Sequence, residues 1–139
     1  MTATPIRIVV VDDSPLYRRV ICTMLKEEPN LQVVAEAGDG VYAIQAVKTH
    51  RPDVVLMDII MPVIDGIEAT RSITSNFPET KVIVFTMFID QTYSDMAFKA
   101  GACRFITKDC GKEKLLDAIK GCSQAPVSVD GHPPHQPYP

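Results

Sequence analysis

The chain's absences narrow its function first. Its four cysteines, Cys22, Cys103, Cys110 and Cys122, include no C-x-x-C pair, which argues against a zinc site. Free, mostly buried thiols in a reducing compartment are expected instead. No apolar run approaches the ~20 residues that cross a bilayer. No charged-then-apolar leader precedes the first strand-like run, so no membrane partner is expected and the cytoplasm is the expected compartment. Clusters of lysine and arginine are lacking, and the net charge is −3; direct nucleic-acid binding by this chain is not expected. Neither G-x-G-x-x-G nor a P-loop follows the first apolar run, which removes the usual nucleotide-binding modules.

What is present reads as one domain. The 139 residues are 46% hydrophobic and 22% charged, enough to bury a core without disulfide or metal staples. Short β-branched runs occur at Ile6–Val11, Leu31–Ala37, Val54–Met57, Lys81–Phe85 and Cys103–Ile106. The first, third and fourth are almost continuously apolar, as strands covered on both faces must be. Helical spacing fills the gaps. The first helix places Tyr17, Val20, Ile21, Met24 and Leu25 on one face, with Ser14 as N-cap and Pro15 at its first position. Others cover about 41–49, 66–76, 92–100 (ending at Gly101) and 112–122, the last with Leu115, Leu116 and Ile119 inward. Strand then helix, five times over, predicts an α/β fold: a parallel sheet with helices on both faces.

The pattern stops at Gln124. The segment 124–139 holds five of the eleven prolines and two of the three histidines, His132 and His135. Proline at that density prevents regular structure, so a flexible tail or linker is expected after a domain spanning 1–123.

In such sheets ligands bind beyond the carboxyl ends of the strands. The first strand ends in Asp12-Asp13, the third in Asp58 and the fourth in Thr86, and Lys108 follows the fifth. Each residue alone has a plainer reading: an acid at a strand end is commonly a helix cap, and a loop lysine is commonly solvated. Their joint placement at one edge carries the argument. Three carboxylates in one crevice repel unless one protonates or a cation joins them. Hard oxygen ligands suit Mg²⁺. With Lys108 adding positive charge, such a crevice is chemically sufficient for phosphoryl transfer, with an Asp carboxylate as nucleophile.

With these residues in view, 6–122 resembles the response-regulator receiver family of bacterial two-component systems. The matching stretches are VVVDDS at 9–14, the GDG turn at 38–40, LMDIIMPVIDG at 56–66, VIVFT at 82–86 and KAGACRFITKD at 99–109. The resemblance implies a flavodoxin-like (βα)5 sheet of order 2-1-3-4-5. It implies that Asp58 accepts the phosphoryl group, and that Asp12, Asp13, Asp58 and the backbone carbonyl of Ile60 hold Mg²⁺. Thr86 and Lys108 then bind phosphoryl oxygens, and Thr86 and Phe105 form the switch. The donor is a phosphohistidine on a sensor histidine kinase or a histidine phosphotransfer protein. The helix 4–strand 5–helix 5 surface carries the output, with phosphorylation-dependent homodimerisation as one form of it. The resemblance thus implies a self-modifying switch rather than an enzyme acting on other substrates.

Leu16, at the edge of the first helix's apolar stripe, is a candidate contact for the kinase. Three departures stand out: Met87 where the family favours a small residue, Asp109 where it favours proline, and Phe105 where tyrosine is commoner. The Thr-Met and Lys-Asp pairs resemble receivers joined to LuxR-type helix-turn-helix domains. A phosphatase of the haloacid-dehalogenase type wants D-x-D at the end of the first strand, and here the string is D-D-S. A degenerate, phosphate-free receiver would lack members of the five-residue set, all of which are present.

Overall fold

Alternation within each apolar run decides how the sheet divides its side chains, because successive residues of a strand point to opposite faces. The computed structural model describes residues 4–87 and 90–126. Its elements run β1 (Ile6–Val11), α1 (Pro15–Lys26), β2 (Leu31–Ala37), α2 (Gly40–His50), β3 (Val54–Met57), α3 (Gly66–Asn76), β4 (Lys81–Thr86), α4 (Gln91–Lys99), β5 (Arg104–Thr107) and α5 (Lys112–Ser123). All strand pairs are parallel, in the order β2-β1-β3-β4-β5. The expected order is therefore present, and β4 and β5 each extend one residue further toward the crevice than their apolar runs.

Two cores result. Val9, Val11, Val55, Met57, Val82 and Val84 face α2, α3 and α4, where Val47, Ile67, Ile73 and Ala97 meet them. Ile8, Val10, Leu56, Ile83, Phe85 and Ile106 face α1 and α5, where Ile21, Leu25, Leu115 and Ile119 meet them. Each fully buried aliphatic side chain contributes about 1.5–3 kcal/mol, so both faces of the sheet are firmly held. Cys22, Cys103 and Cys122 are buried and Cys110 is half-buried, all free thiols, as their apolar settings imply.

Two helices differ in detail from the sequence reading. The buried stripe of α1 is centred on Ile21, Cys22 and Leu25, and Val20 is 55% exposed. Val20 lies four residues after Leu16, so the two share the outer face of the helix instead. On α5 the buried set is Leu115, Ala118, Ile119 and Cys122, with Leu116 half-buried at its margin.

Helix ends follow the capping rules. Ser14, Asp39, Asp65 and Asp90 each accept a hydrogen bond from a first-turn N–H. Gly101 follows α4 with φ +106°, the left-handed C′ position that glycine fills without strain. Past α5, Ala125 packs against the core and the Pro126 carbonyl accepts from Lys81 Nζ at 2.8 Å. The start of the proline-rich segment is thus tied to the body. The remainder of that segment, with His132 and His135, lies outside the described residues.

Candidate functional site

Four parallel strands end at the same edge, and each delivers its polar residue there because its preceding residues are locked in the ladder. Val11 pairs with Met57 and Met57 with Val84, so Asp12, Asp58 and the end of β4 emerge side by side. Backbone bonds continue past the strands: Asp58 N–H donates to Val11 O at 3.1 Å, and Lys108 N–H donates to Thr86 O at 2.8 Å.

Carboxylate oxygens of Asp12, Asp13 and Asp58 all lie within 4.8 Å of one another. Asp12 and Asp58 are buried and Asp13 is exposed at the mouth. Lys108 Nζ reaches into this group, donating to Asp12 Oδ2 at 2.5 Å and to Asp58 Oδ2 at 3.2 Å. The other oxygens are held by backbone: Asp12 Oδ1 accepts from Ser14 N–H and Asp58 Oδ1 from Ile59 N–H, at 2.9 and 2.8 Å. Burial raises the Asp58 pKa; the Lys108 charge opposes that rise and the Asp12 charge adds to it. For Lys108, burial alone would favour loss of its proton. The hydrogen bond to Asp12 and the charges of Asp58 and Asp12 outweigh it and raise the pKa. One ammonium therefore faces three carboxylates and does not neutralise them.

The remaining sequence candidates are placed as follows. Thr86 is fully buried at the end of β4. Phe105 is half-buried, paired with Val84 and packed against the α2–α3–α4 core. Ile60 is 47% exposed, in the loop after Asp58, and Met87 is 65% exposed beside Thr86. Leu16, 73% exposed, stands on the first turn of α1. Asp109 accepts from Thr107 Oγ1 at 2.5 Å, fixing the loop where a proline was expected; no peptide bond among the described residues is cis.

The M-D-x-x-M-P-x-x-D-G string acquires a physical reading. A Cβ on Gly66 would sit 1.8 Å from Asp58 O, so only glycine lets α3 start against the backbone of the acidic residue. Gly66 N–H donates to Ile59 O at 2.7 Å and closes the loop. Two site residues escaped the sequence reading. Arg18 donates to Asp12 O at 2.5 Å and pairs with Glu36 at 3.4 Å. The Tyr17 ring lies under Lys108 Nζ, 4.1 Å from its centroid. Tyr17 reads as core stripe, and nothing in the spacing joins it to Lys108; Arg18 is not singled out at all.

A five-stranded, doubly wound parallel sheet with an acid triad and a lysine at its carboxyl edge defines a phosphorylation-type signalling domain. Residues 8–120 match the protein-family model of the response regulator receiver domain, and the chain belongs to that family. Its similar relatives include the transcriptional regulatory protein DegU of Brevibacillus brevis, 37% identical over 92% of this chain and 53% of DegU. The oxygen regulatory protein NreC of Staphylococcus epidermidis is 39% identical over 89% of this chain and 57% of NreC. Among solved structures, the signal receiver domain of NarL from Mycobacterium tuberculosis superposes with TM-score 0.84 at 31% identity, covering 88% of this chain and 98% of that one. A LuxR-family two-component response regulator from Aurantimonas gives TM-score 0.82 at 35% identity, covering 87% and 86%. The chain spans a little over half the length of these curated relatives. It is a receiver domain homologous to those of LuxR-family regulators, a family whose general chemistry is phosphoryl transfer. Among the described residues no helix is long and apolar enough to cross a membrane.

Proposed function

We propose that this chain is a Mg²⁺-dependent phosphorylation switch in which Asp58 accepts a phosphoryl group from a phosphohistidine on a sensor histidine kinase or histidine phosphotransfer protein. The observation that carries this reading is the approach of three carboxylates within 4.8 Å, two of them bonded to one lysine. A carboxylate oxygen of Asp58 attacks phosphorus, the P–N bond breaks, and its electron pair returns to the imidazole, which takes up a proton. Asp12, Asp13 and Asp58, with the Ile60 carbonyl, would hold Mg²⁺; an all-oxygen, net negative donor set fits that hard cation. When bound, the cation supplies charge neutralisation for the attacking carboxylate and the phosphoryl oxygens. Lys108 and the Thr86 hydroxyl then bind those oxygens.

Phe105 lies on β5, half-buried against the core that α4 completes, so inward movement of the β4–α4 loop toward a Thr86-bound phosphate would couple to its burial. The α4–β5–α5 surface is the proposed readout, with a homodimer as one outcome. Exposed Leu16 is the proposed kinase contact. Ile60 offers no group to orient an attacking water and Met87 can cover the phosphate, so the aspartyl phosphate is proposed to be long-lived. The segment 124–139 is proposed to be a tail or a linker toward a LuxR-type output domain, and the chain is proposed to act in the cytoplasm.

Intact-mass measurement after incubation with acetyl phosphate and Mg²⁺ tests the reading. Wild type gains one phosphoryl group and Asp58→Asn gains none; equal labelling of both proteins rejects it. Millimolar Mg²⁺ is expected to raise the melting temperature of wild type by mass action, and Asp13→Ala to lose most of that rise.

A further inference from the structure

Among the described residues, the Tyr17 ring packs at the margin of the α1–α5 core and also lies against the Lys108 ammonium. We propose that Tyr17 is a positioning residue for phosphoryl transfer: its ring face holds the Lys108 ammonium at the crevice while that ammonium exchanges carboxylate partners for phosphoryl oxygens. The inference rests on the phosphorylation reading above.

Lys108 carries a long, flexible side chain. Four methylenes give it many rotamers, and immobilising it carries an entropic cost. At present two ion pairs hold it, to Asp12 at 2.5 Å and Asp58 at 3.2 Å. Both partners are the carboxylates that a divalent cation would claim, so those contacts weaken as the site fills. A hydrogen bond would then have to break before another forms. Attraction to a ring face has no such directionality and survives a shift of an ångström or so. The ring lies 4.1 Å from Nζ, within the ~6 Å range of this interaction. It is itself steadied by Phe85, with ring centroids 6.5 Å apart and planes tilted 46°. Phe85 is the residue before Thr86 on β4. The sites for both phosphoryl-binding side chains are thus linked through one aromatic pair, and loss of the ring frees the lysine to leave the crevice.

The ring face and not the hydroxyl is what matters, so Tyr17→Phe and Tyr17→Leu separate the two. Initial rates of acetyl phosphate labelling are measured for the full chain in saturating Mg²⁺, with Mg²⁺ titrations and melting curves alongside. Tyr17→Phe is expected to label within about twofold of wild type, and Tyr17→Leu about three- to tenfold more slowly, the rate equivalent of a partly desolvated cation–π contact. Mg²⁺ affinity is expected to hold in both. In wild type, the Lys108 Cε protons are expected upfield of ordinary lysines through the ring current, and at ordinary positions in Tyr17→Leu. Equal rates for Tyr17→Leu and wild type overturn the proposal. So does Tyr17→Phe labelling as slowly as Tyr17→Leu. If Tyr17→Leu does not fold, unshifted Lys108 Cε protons in wild type overturn it alone. Failure of wild type to label at all instead overturns the phosphorylation reading, which the ring-current measurement does not need.

Discussion

The two ends of one sheet use the same residue types to opposite effect. At the amino edge, Arg7 Nη1 donates to the carbonyls of His50 and Arg51 at 2.7 and 3.1 Å, closing the C-terminus of α2. Asp53 Oδ2 accepts from Arg7 N–H at 2.9 Å, Thr80 Oγ1 donates to Pro52 O at 2.9 Å, and Lys81 Nζ donates to Pro126 O. The Arg51 guanidinium sits 4.7 Å over the Phe77 ring. These bonds pair side chains with orphan backbone groups, which leaves that edge electrostatically complete. At the carboxyl edge, acids face acids with one lysine among them. That edge lacks a cation's worth of charge, and the deficit is what makes it the candidate site. Charge count does not distinguish the two; the partner of each charge does.

The largest expected effect breaks the comparison outright. Asp58→Asn abolishes phosphoryl labelling by intact mass, whereas Asp53→Ala, the acid of the other edge, labels at the wild-type rate. Comparable labelling loss in Asp53→Ala would mean the edges are not functionally separate.

Next is the glycine that lets α3 approach the acidic residue. Gly66→Ala is expected to cost about 3 kcal/mol or more in urea unfolding, the scale of an overpacked and displaced backbone. Gly121, in α5, would place its Cβ in open space, so Gly121→Ala is expected to stabilise by about 0.5–1 kcal/mol. The cost of a methyl group on a helix glycine thus depends on what lies against it: the Asp58 backbone at Gly66 and open space at Gly121.

A third contrast is in stability against pH. Burial, reinforced by Asp12, raises the Asp58 pKa. A raised folded-state pKa contributes stability that is full below the unfolded value and is lost as pH rises through the folded value. Without divalent cations, Asp58→Asn is therefore expected to exceed wild type in stability at neutral pH, with the gap closing in acid. Asp53→Ala is expected to lose about 0.5–1 kcal/mol, because that acid is already usefully bonded. If Asp58→Asn were the less stable at neutral pH, the crevice would not be self-repelling.

The smallest effect concerns the loop beside the site. Val63 has φ 71°, and Ile64 N–H donates to Pro62 O across it at 2.9 Å, a tight turn that disfavours a β-branched residue. Val63→Gly is expected to raise stability by about 0.5–1 kcal/mol, read from the urea midpoint at unchanged slope. A neutral or negative result would show that contacts of this 80%-exposed side chain offset the strain.

Much of this was legible in one dimension. The strand runs, the Ser14 and Pro15 start of α1, Gly101 as the end of α4 and the five crevice residues follow from local rules: apolar period, capping and the placement of polar groups directly after strands. These signals survive in sequence because each depends on neighbours a few residues away. Family resemblance supplied the strand order, which periodicity leaves open.

Other features depend on where separate elements meet. Val20 matched the apolar period of α1 yet lies outside, and Cys22 is buried against the sheet in its place. Tyr17 lies 91 residues from Lys108 in the chain, and only the joining of α1 to the end of β5 over one sheet face puts ring and ammonium 4.1 Å apart. Arg18 reaches the Asp12 carbonyl locally, across the turn that joins β1 to α1. The sequence alone determined which residues are acidic, basic or aromatic and which segments could become strands and helices, because those properties are local. The tertiary structure decided which charges face each other, which are satisfied by backbone and which side chain steadies the lysine, because electrostatic partnership depends on distance in space.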